Sequence, residues 1–319
     1  MERVIVTGAA GFIGANLARR LLENGAQPHL FTAPGSARWR LEEISAHAPI
    51  VEVDLADDEG LAAAVVGARA DRIYHLAAHG GYSWQTDHLA ILRANVLGTS
   101  NLLEACLARG FEVFVNTGSS SEYGLKDHAP TEDEAIEPNS TYAVSKAAAT
   151  MLCRLAAARS GANVCTLRLY STYGPWEEPR RLVPALAVEG LRGRLPPLVD
   201  PTIARDFVWV GDVVDAYLAA GNATHDEPGA VYNVGTGVQT TLADAVEITR
   251  EVLAIEARPR WGSMPPRAWD TSCWVANNSK IQDRLGWQPT LGFREGLAAY
   301  SDWLREHPGV LSYYEAHRA

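Results

Sequence analysis

Between residues 117 and 146 the chain places three serines in a row, Ser119, Ser120 and Ser121, and then Tyr142 and Lys146 four residues apart. On a helix that spacing puts the tyrosine and the lysine on one face. A tyrosine hydroxyl titrates near pH ~10, so it exchanges a proton with a bound molecule only where a neighbouring cation lowers that value. Lys146 is placed to be that cation. A third group must hold a carbonyl or hydroxyl oxygen while the proton moves, and a serine arriving from a neighbouring strand end can supply it. Spacing alone leaves all three serines open. A tyrosine and a lysine at this interval also occur on many solvated helix faces, so the weight falls on what surrounds them.

The surrounding pattern is strand followed by helix, repeated. Arg3 to Thr7 is a β-branched apolar run, followed by Gly8-Ala9-Ala10-Gly11-Phe12-Ile13-Gly14 and the helical ANLARRLLENG. Strand, glycine turn and helix in that order make a phosphate cradle: glycines let the backbone approach a pyrophosphate, and the helix N-terminus faces its charge. The spacing G-x-x-G-x-x-G is one residue longer than the commonest dinucleotide fingerprint. The second strand, PHLFT, ends in Thr32 where such a fold usually places an acid for the adenosine ribose. Just beyond it, Arg38 and Arg40 lie in a flexible stretch and could hold a 2′-phosphate; two surface arginines at a helix start are the plain alternative.

A third strand, residues 50–55, carries Asp54, either an adenine partner or a helix cap. A fourth, residues 72–78, contains His75, read as a core histidine, and runs into a loop with Tyr82 and Trp84, where open α/β sheets bind ligands. The two aromatics could equally be core. A helix over 88–109 and a strand over 111–117 lead to the serine cluster. After the Tyr-Lys helix comes a sixth strand, ANVCTLRLYSTYGP. The repetition specifies an α/β fold, a doubly wound parallel sheet of Rossmann type with right-handed crossovers. Beyond Pro175 the pattern breaks into shorter elements. The division expected is a dinucleotide-binding domain over 1–175, with 204–237 returning to it, and a smaller C-terminal substrate domain over most of 176–319.

Composition narrows the class. A chain of 319 residues, 47% hydrophobic and 21% charged, buries a large core as a soluble protein. Met1-Glu2-Arg3 leads directly into VIVTG, which reads as no signal peptide, and no apolar run approaches the ~18 residues of a membrane span. Cys106, Cys153, Cys165 and Cys273 are scattered without CxxC spacing, which argues for a reduced cytoplasmic compartment and no metal site. A net charge of −10 with pI near 5.4 disfavours nucleic acid or anionic membrane as partner.

TGAAGFIG at 7–14, Asp54-Leu55, HLAA at 75–78, NVLGTSNLLEA at 95–105, GSSSEYG at 118–124, YAVSK at 142–146, LRLYSTYGP at 167–175, RDFVWVGDVVDA at 205–216, YNVG at 232–235 and LGWQP at 285–289 follow one another in order. Together they resemble the extended short-chain dehydrogenase/reductases that modify nucleotide sugars. The resemblance implies NAD(P) on the N-terminal sheet, a nucleoside-diphosphate sugar on the C-terminal domain, hydride transfer through a keto species, and a homodimer. By position, Tyr142 resembles the family's acid/base and Lys146 the residue that lowers its pKa and holds the nicotinamide ribose. The family's serine lies four residues before the tyrosine of the YG pair, here Tyr123, which selects Ser119. The cofactor set implied is Gly8, Gly11, Phe12, Ile13, Gly14, Thr32, Arg38, Arg40, Asp54, Leu55, Leu76, Ala77, Ala78, Lys146 and Tyr170. The substrate set is Trp84, Ser120, Ser121, Arg181, Arg205 and Arg267.

Departures from the pattern bear on the reaction. Relatives that remove water from the sugar carry an Asp-Glu pair directly after the triad residue, because dehydration needs an acid for the departing hydroxyl and a base for the C5 proton. Ser120 and Ser121 stand there instead, and strand alternation turns Glu122 to another face, which disfavours 4,6-dehydration. Thr32 with Arg38 and Arg40 fits NADP better than NAD. The expectation is therefore NADPH-dependent reduction of a 4-keto nucleotide sugar, with C4 epimerisation on NAD as the alternative. A cofactor-sensing protein without turnover would tend to lose the Tyr-Lys pair that this chain keeps.

Overall fold

In strand β1 (Arg3–Thr7), Val4 and Val6 pack into one core and Ile5 into another, all three fully buried. A strand covered on both faces needs such an unbroken apolar run. The computed structural model, which describes residues 2–264 and 270–318, continues with α1 (Phe12–Glu23), β2 (Gln27–Thr32), β3 (Ile50–Glu52), α2 (Asp58–Ala68), β4 (Arg72–His75), α3 (His88–Leu92), α4 (Gly98–Arg109), β5 (Val113–Ser119), α5 (Thr141–Ser160) and β6 (Val164–Leu169). There follow β7 (Ser171–Tyr173), α6 (Leu182–Gly190), β8 (Ala204–Arg205), β9 (Phe207–Trp209), α7 (Val210–Gly221) and β10 (Ala230–Val234). The chain closes with β11 (Thr240–Thr241), α8 (Leu242–Val252), α9 (Ser279–Leu285), α10 (Phe293–Glu306) and α11 (Pro308–His317).

Seven strands form one parallel sheet in the order β10-β6-β5-β4-β1-β2-β3. The doubly wound Rossmann-type sheet read from the sequence is the fold of the protein. The strand order reverses between β1 and β4, and in such sheets the crevice at the carboxyl ends of those strands is where ligands bind. Helices α1 and α7 cover one face through Leu17, Leu21, Val213 and Tyr217; α2, α4 and α5 cover the other through Leu61, Leu102, Cys106 and Cys153. A separate core unites the C-terminal helices, with Tyr173, Phe207, Phe293, Leu297 and Tyr300 at its centre. Among the described residues no helix is long and apolar enough to cross a membrane.

Local differences from the sequence reading concern the site. The fifth strand runs two residues further than 117, which makes Ser119 its last residue. The fourth ends at His75 and the third at Glu52, leaving Leu76 to Ala78 and Asp54 in the loops above the sheet. The stretch holding Arg38 and Arg40 is not loose: Trp39–Ile44 forms a 3₁₀ helix that buries Leu41 and Ile44. The helix over 88–109 is interrupted by one π turn at Arg93–Leu97. Asn95, in that turn, donates to the His79 carbonyl at 2.8 Å and to Ser145 Oγ at 2.8 Å, and accepts from the His79 amide at 2.8 Å. Those bonds tie the loop after β4 to the helix that carries Tyr142.

Candidate active site

Helix α5 starts where Ser140 accepts a hydrogen bond from the Ala143 amide at 3.1 Å, and it ends at Gly161 with φ +69°. A serine cap and a left-handed glycine fix its two ends. Tyr142 therefore lies in the first turn, at the carboxyl edge of the sheet, and Lys146 one turn deeper, only 2% exposed. Opposite them, Ser119 caps the short turn Ser120–Tyr123: its hydroxyl accepts from the Ser121 amide at 3.2 Å and lies 2.8 Å from Ser121 Oγ. The Ser119 hydroxyl stands close enough to that of Tyr142 to draw its pKa down. The structure thus brings Ser119 and Tyr142 together at the carboxyl edge of the sheet, with Lys146 one turn deeper.

The electrostatics differ from the sequence reading in one respect. Burial pushes the Tyr142 hydroxyl up to about 12; the Ser119 hydrogen bond is the largest opposing influence, Glu122 adds to the rise, and Arg181 lowers it. Lys146 was expected to be the cation acting on Tyr142, but within the polypeptide that part falls to Arg181. Burial draws Lys146 itself down to about 8, against the attraction of Glu122. Glu122 is fully buried. One of its oxygens accepts from the Ser119 amide at 2.8 Å and the other from Arg168 Nε at 2.9 Å.

Next to this cluster is a cradle that only backbone can line. Gly8 has φ +65°, and a Cβ there would lie 2.6 Å from the Ala77 amide nitrogen; a Cβ on Gly14 would strike the Gly8 carbonyl. Gly11 precedes α1 with no side-chain cap, so the first amides of that helix, from Phe12 and Ile13 on, face the cradle uncapped by any side chain. Thr7 Oγ1 accepts from the amides of Leu76 and Ala77, both at 3.1 Å, and holds the turn that leads to exposed Ala78 against the glycines. His75 bridges Thr7 and Thr99 at 2.7 and 2.9 Å, and burial pushes it down to about 3, so it is a neutral core histidine.

Among the described residues four buried hydroxyls, Thr32 Oγ1, Thr150 Oγ1, Tyr170 Oη and Tyr300 Oη, have no hydrogen-bond partner in the protein, and the first and third of them bear on the cradle. An unpaired buried hydroxyl costs free energy. Thr32 and Tyr170 stand at the carboxyl side of the sheet, at the ends of β2 and β6, and a dinucleotide laid across the switch point would present them with ribose and nicotinamide groups. The residues present fit such a cofactor. Asp54 is not the cap of α2, a role taken by Asp57; it accepts from the Ala56 amide at 2.9 Å and pairs with Arg93 at 3.1 Å, while Leu55 packs against Gly98. Arg38 pairs with Glu52 at 2.6 Å. Arg40 is buried: it donates to the Trp176 carbonyl at 2.6 Å and lies over the Trp39 ring at 4.3 Å.

On the substrate side, Trp84 is an exposed ring rather than core. It stacks on Tyr82 at 4.8 Å, and the Arg180 guanidinium lies 3.6 Å from its centroid. Arg181 is exposed, 3.5 Å from Glu177, whose buried carboxyl burial pushes up to about 8. Arg205 donates to Asp270 at 3.0 Å and lies 5.7 Å from the Trp274 ring; Arg267 lies outside the described residues. Ser120 and Tyr170 line a shallow cleft together with Lys126, His128 and Trp274. The sequence reading missed those last three. Their only signal was polar and aromatic character in loops that no periodicity places.

A seven-stranded doubly wound sheet with a glycine cradle at its switch point and a Ser-Tyr-Lys cluster beside it defines a nicotinamide-dinucleotide enzyme. Residues 4–235 match the NAD dependent epimerase/dehydratase family, and the chain belongs to that family. It is 31% identical to a UDP-glucose 4-epimerase of Mycolicibacterium smegmatis over 95% of this chain and 98% of the other. It is 30% identical to a dTDP-glucose 4,6-dehydratase of Streptomyces griseus over 95% and 94%. Among solved structures it resembles the UDP-glucuronic acid 4-epimerase of Bacillus cereus in complex with UDP-glucuronic acid and NAD, at 28% identity and TM-score 0.83, covering 96% of this chain and 99% of that one.

Proposed function

We propose that the protein interconverts the C4 epimers of a nucleoside-diphosphate sugar through a transient 4-keto sugar, with NAD retained throughout the cycle. NAD, when bound, accepts the hydride from C4 and gives it back. Tyr142 removes the proton of the C4 hydroxyl and later returns it, and Ser119 holds the oxygen while charge develops. Lys146, drawn to about 8, stays mostly protonated at neutral pH one helical turn from Tyr142, where it would hold the nicotinamide ribose, while Arg181 supplies the charge that lowers the tyrosine. Glycines 8, 11 and 14 carry the pyrophosphate, and Thr32 and Tyr170 meet the two ends of the cofactor. Trp84, Ser120, Arg181 and Arg205 face the sugar nucleotide, which the segments beyond Pro175, apart from 204–237, hold above the sheet.

The observation that carries this choice is Arg40. NADPH-dependent reduction rested on two exposed guanidiniums, and Arg40 is buried, its Nε held by the Trp176 carbonyl and its face laid on the Trp39 ring, with Nη2 left without a hydrogen-bond partner. Epimerisation also accords with the M. smegmatis and B. cereus relatives. Reduction by NADPH remains the second possibility, because Arg38 keeps an exposed guanidinium at the same end of the sheet. Dehydration lacks its acid and base: Ser120 and Ser121 occupy those positions and Glu122 is locked to Arg168. Incubating the protein with 4-hydroxy nucleotide sugars, without added reductant, tests the proposal. The expected result is interconversion of epimers by proton NMR with no net change in nicotinamide absorbance; product formation that requires one NADPH per turnover would overturn it.

The functional unit proposed is a homodimer. Leu89 and Leu92 on α3, and Val144, Met151 and Leu155 on α5, are exposed apolar side chains on two helices packed against each other. Such a contiguous patch calls for a partner, and a second copy presents the same patch to it about a two-fold axis.

A further inference from the structure

We infer that Glu52, acting with its counter-ion Arg38, reads the adenosine ribose in place of the acid that β2 lacks, and that this pair sets the preference for NAD over NADP. The inference rests on the dinucleotide reading of the cradle. It starts from the register of β2 and β3, in which Thr32 pairs with Glu52. Register partners in a parallel sheet stand about 4.8 Å apart and project to the same face. The carboxylate missing at Thr32 is therefore supplied by the adjacent strand.

Thr32 is held in place from both sides. The Val53 amide donates to the Thr32 carbonyl at 2.9 Å, and the Ala9 amide, inside the glycine turn, donates to the Phe31 carbonyl at 3.3 Å. Its hydroxyl is 2% exposed as a residue and has no protein partner. A ribose hydroxyl at the end of β2 would satisfy it, and its neighbour would then come within reach of Glu52. The Glu52 side chain is 50% exposed, so it is free to turn toward a ligand, and it pairs with Arg38 at 2.6 Å.

The pair discriminates by charge. A ribose 2′-hydroxyl donates to Glu52, and Arg38 stays neutralised. A 2′-phosphate brings about two negative charges against the same carboxylate, and Arg38 can meet it only by leaving Glu52 unpaired. The arginine that the sequence offers to NADP is thus held back by the acid beside Thr32.

The test is a double-mutant cycle on dinucleotide binding, read by calorimetry or intrinsic fluorescence on the full chain stripped of any co-purified cofactor. NAD and NADP are titrated separately into wild type, Glu52→Gln, Arg38→Ala and the double variant. In Glu52→Gln the ratio of NAD to NADP affinity is expected to fall by roughly tenfold or more, the worth of one hydrogen bond to a charged group. Adding Arg38→Ala should abolish the gain in NADP affinity. A ratio unchanged within twofold in Glu52→Gln, or an NADP gain that persists without Arg38, overturns the inference while NAD binding still stands. Failure of both dinucleotides to bind wild type would overturn it together with the proposed function.

Discussion

Arg168 Nε and Glu122 Oε2 meet at 2.9 Å with both side chains almost wholly buried, and the other Glu122 oxygen holds the amide of Ser119. The pair therefore connects β6 to the turn that aims the Ser119 hydroxyl. The Arg168 guanidinium also lies over the Tyr123 ring at 4.6 Å, and Tyr123 donates to Asn233 at 2.8 Å. Removing one partner of a buried pair leaves an uncompensated charge, which costs about 3–5 kcal/mol. Arg168→Met should lower the unfolding free energy by that amount in denaturant titrations, and Glu122→Gln added to it should recover part of the loss. A stability loss under 1 kcal/mol in Arg168→Met would show that the pair is not holding the turn.

The chemistry assigned to Tyr142 has its own readout. Tyr142→Phe keeps the ring and its packing but removes the proton, so dinucleotide binding should be nearly intact while turnover falls by about two to four orders of magnitude. Ser119→Ala removes one stabilising donor at the oxygen and should cost about two to three orders. Steady-state turnover beside a binding titration separates these losses from misfolding; near-normal turnover in Tyr142→Phe would place the acid/base elsewhere.

The sheet, the glycine cradle and the Ser-Tyr-Lys cluster were legible because each is written in local sequence: an apolar run, a fixed glycine spacing, an i, i+4 pair. The two-residue shift of β5 was not, since strand ends depend on pairing, and Gly118 and Ser119 pair with Arg168 and Leu169 rather than entering a loop. The setting of Arg40 was not legible for a similar reason. Its neighbours Leu41 and Ile44 bury a 3₁₀ helix against α1, and its partner Trp176 is 136 residues away. No local pattern announces a contact of that range. The reverse holds for His75, which an apolar run on both sides correctly marked as core.

Glu177 gives a pH dependence of determined sign. Burial is the largest influence on its carboxyl and raises it from an ordinary value near 4.5 to about 8, with Arg181 opposing. Between those values the folded protein holds a proton that the unfolded chain has lost, so the unfolded state binds fewer protons and stability falls as pH rises. Wild type should therefore lose stability between about pH 4.5 and about pH 8 through this group. In Glu177→Gln that component should vanish, flattening the curve of unfolding midpoint against pH. Parallel curves for the two proteins across that window would refute the assignment.

The patch on α3 and α5 makes the last prediction. Val144, Met151 and Leu155 recur at intervals of seven and four along α5, which lines them up on one stripe, and Leu89 and Leu92 extend it onto α3. Because none of these side chains enters the packed core, a charge placed there should leave the monomer folded. Wild type should run in light scattering as two chains of 34.5 kDa each. Met151→Glu with Leu155→Glu should shift it to one chain, since buried like charges facing each other across a two-fold axis oppose association. Circular dichroism of the variant should match wild type, which separates loss of the interface from loss of the fold. A dimer that survives both glutamates would mean that the two copies meet on another face.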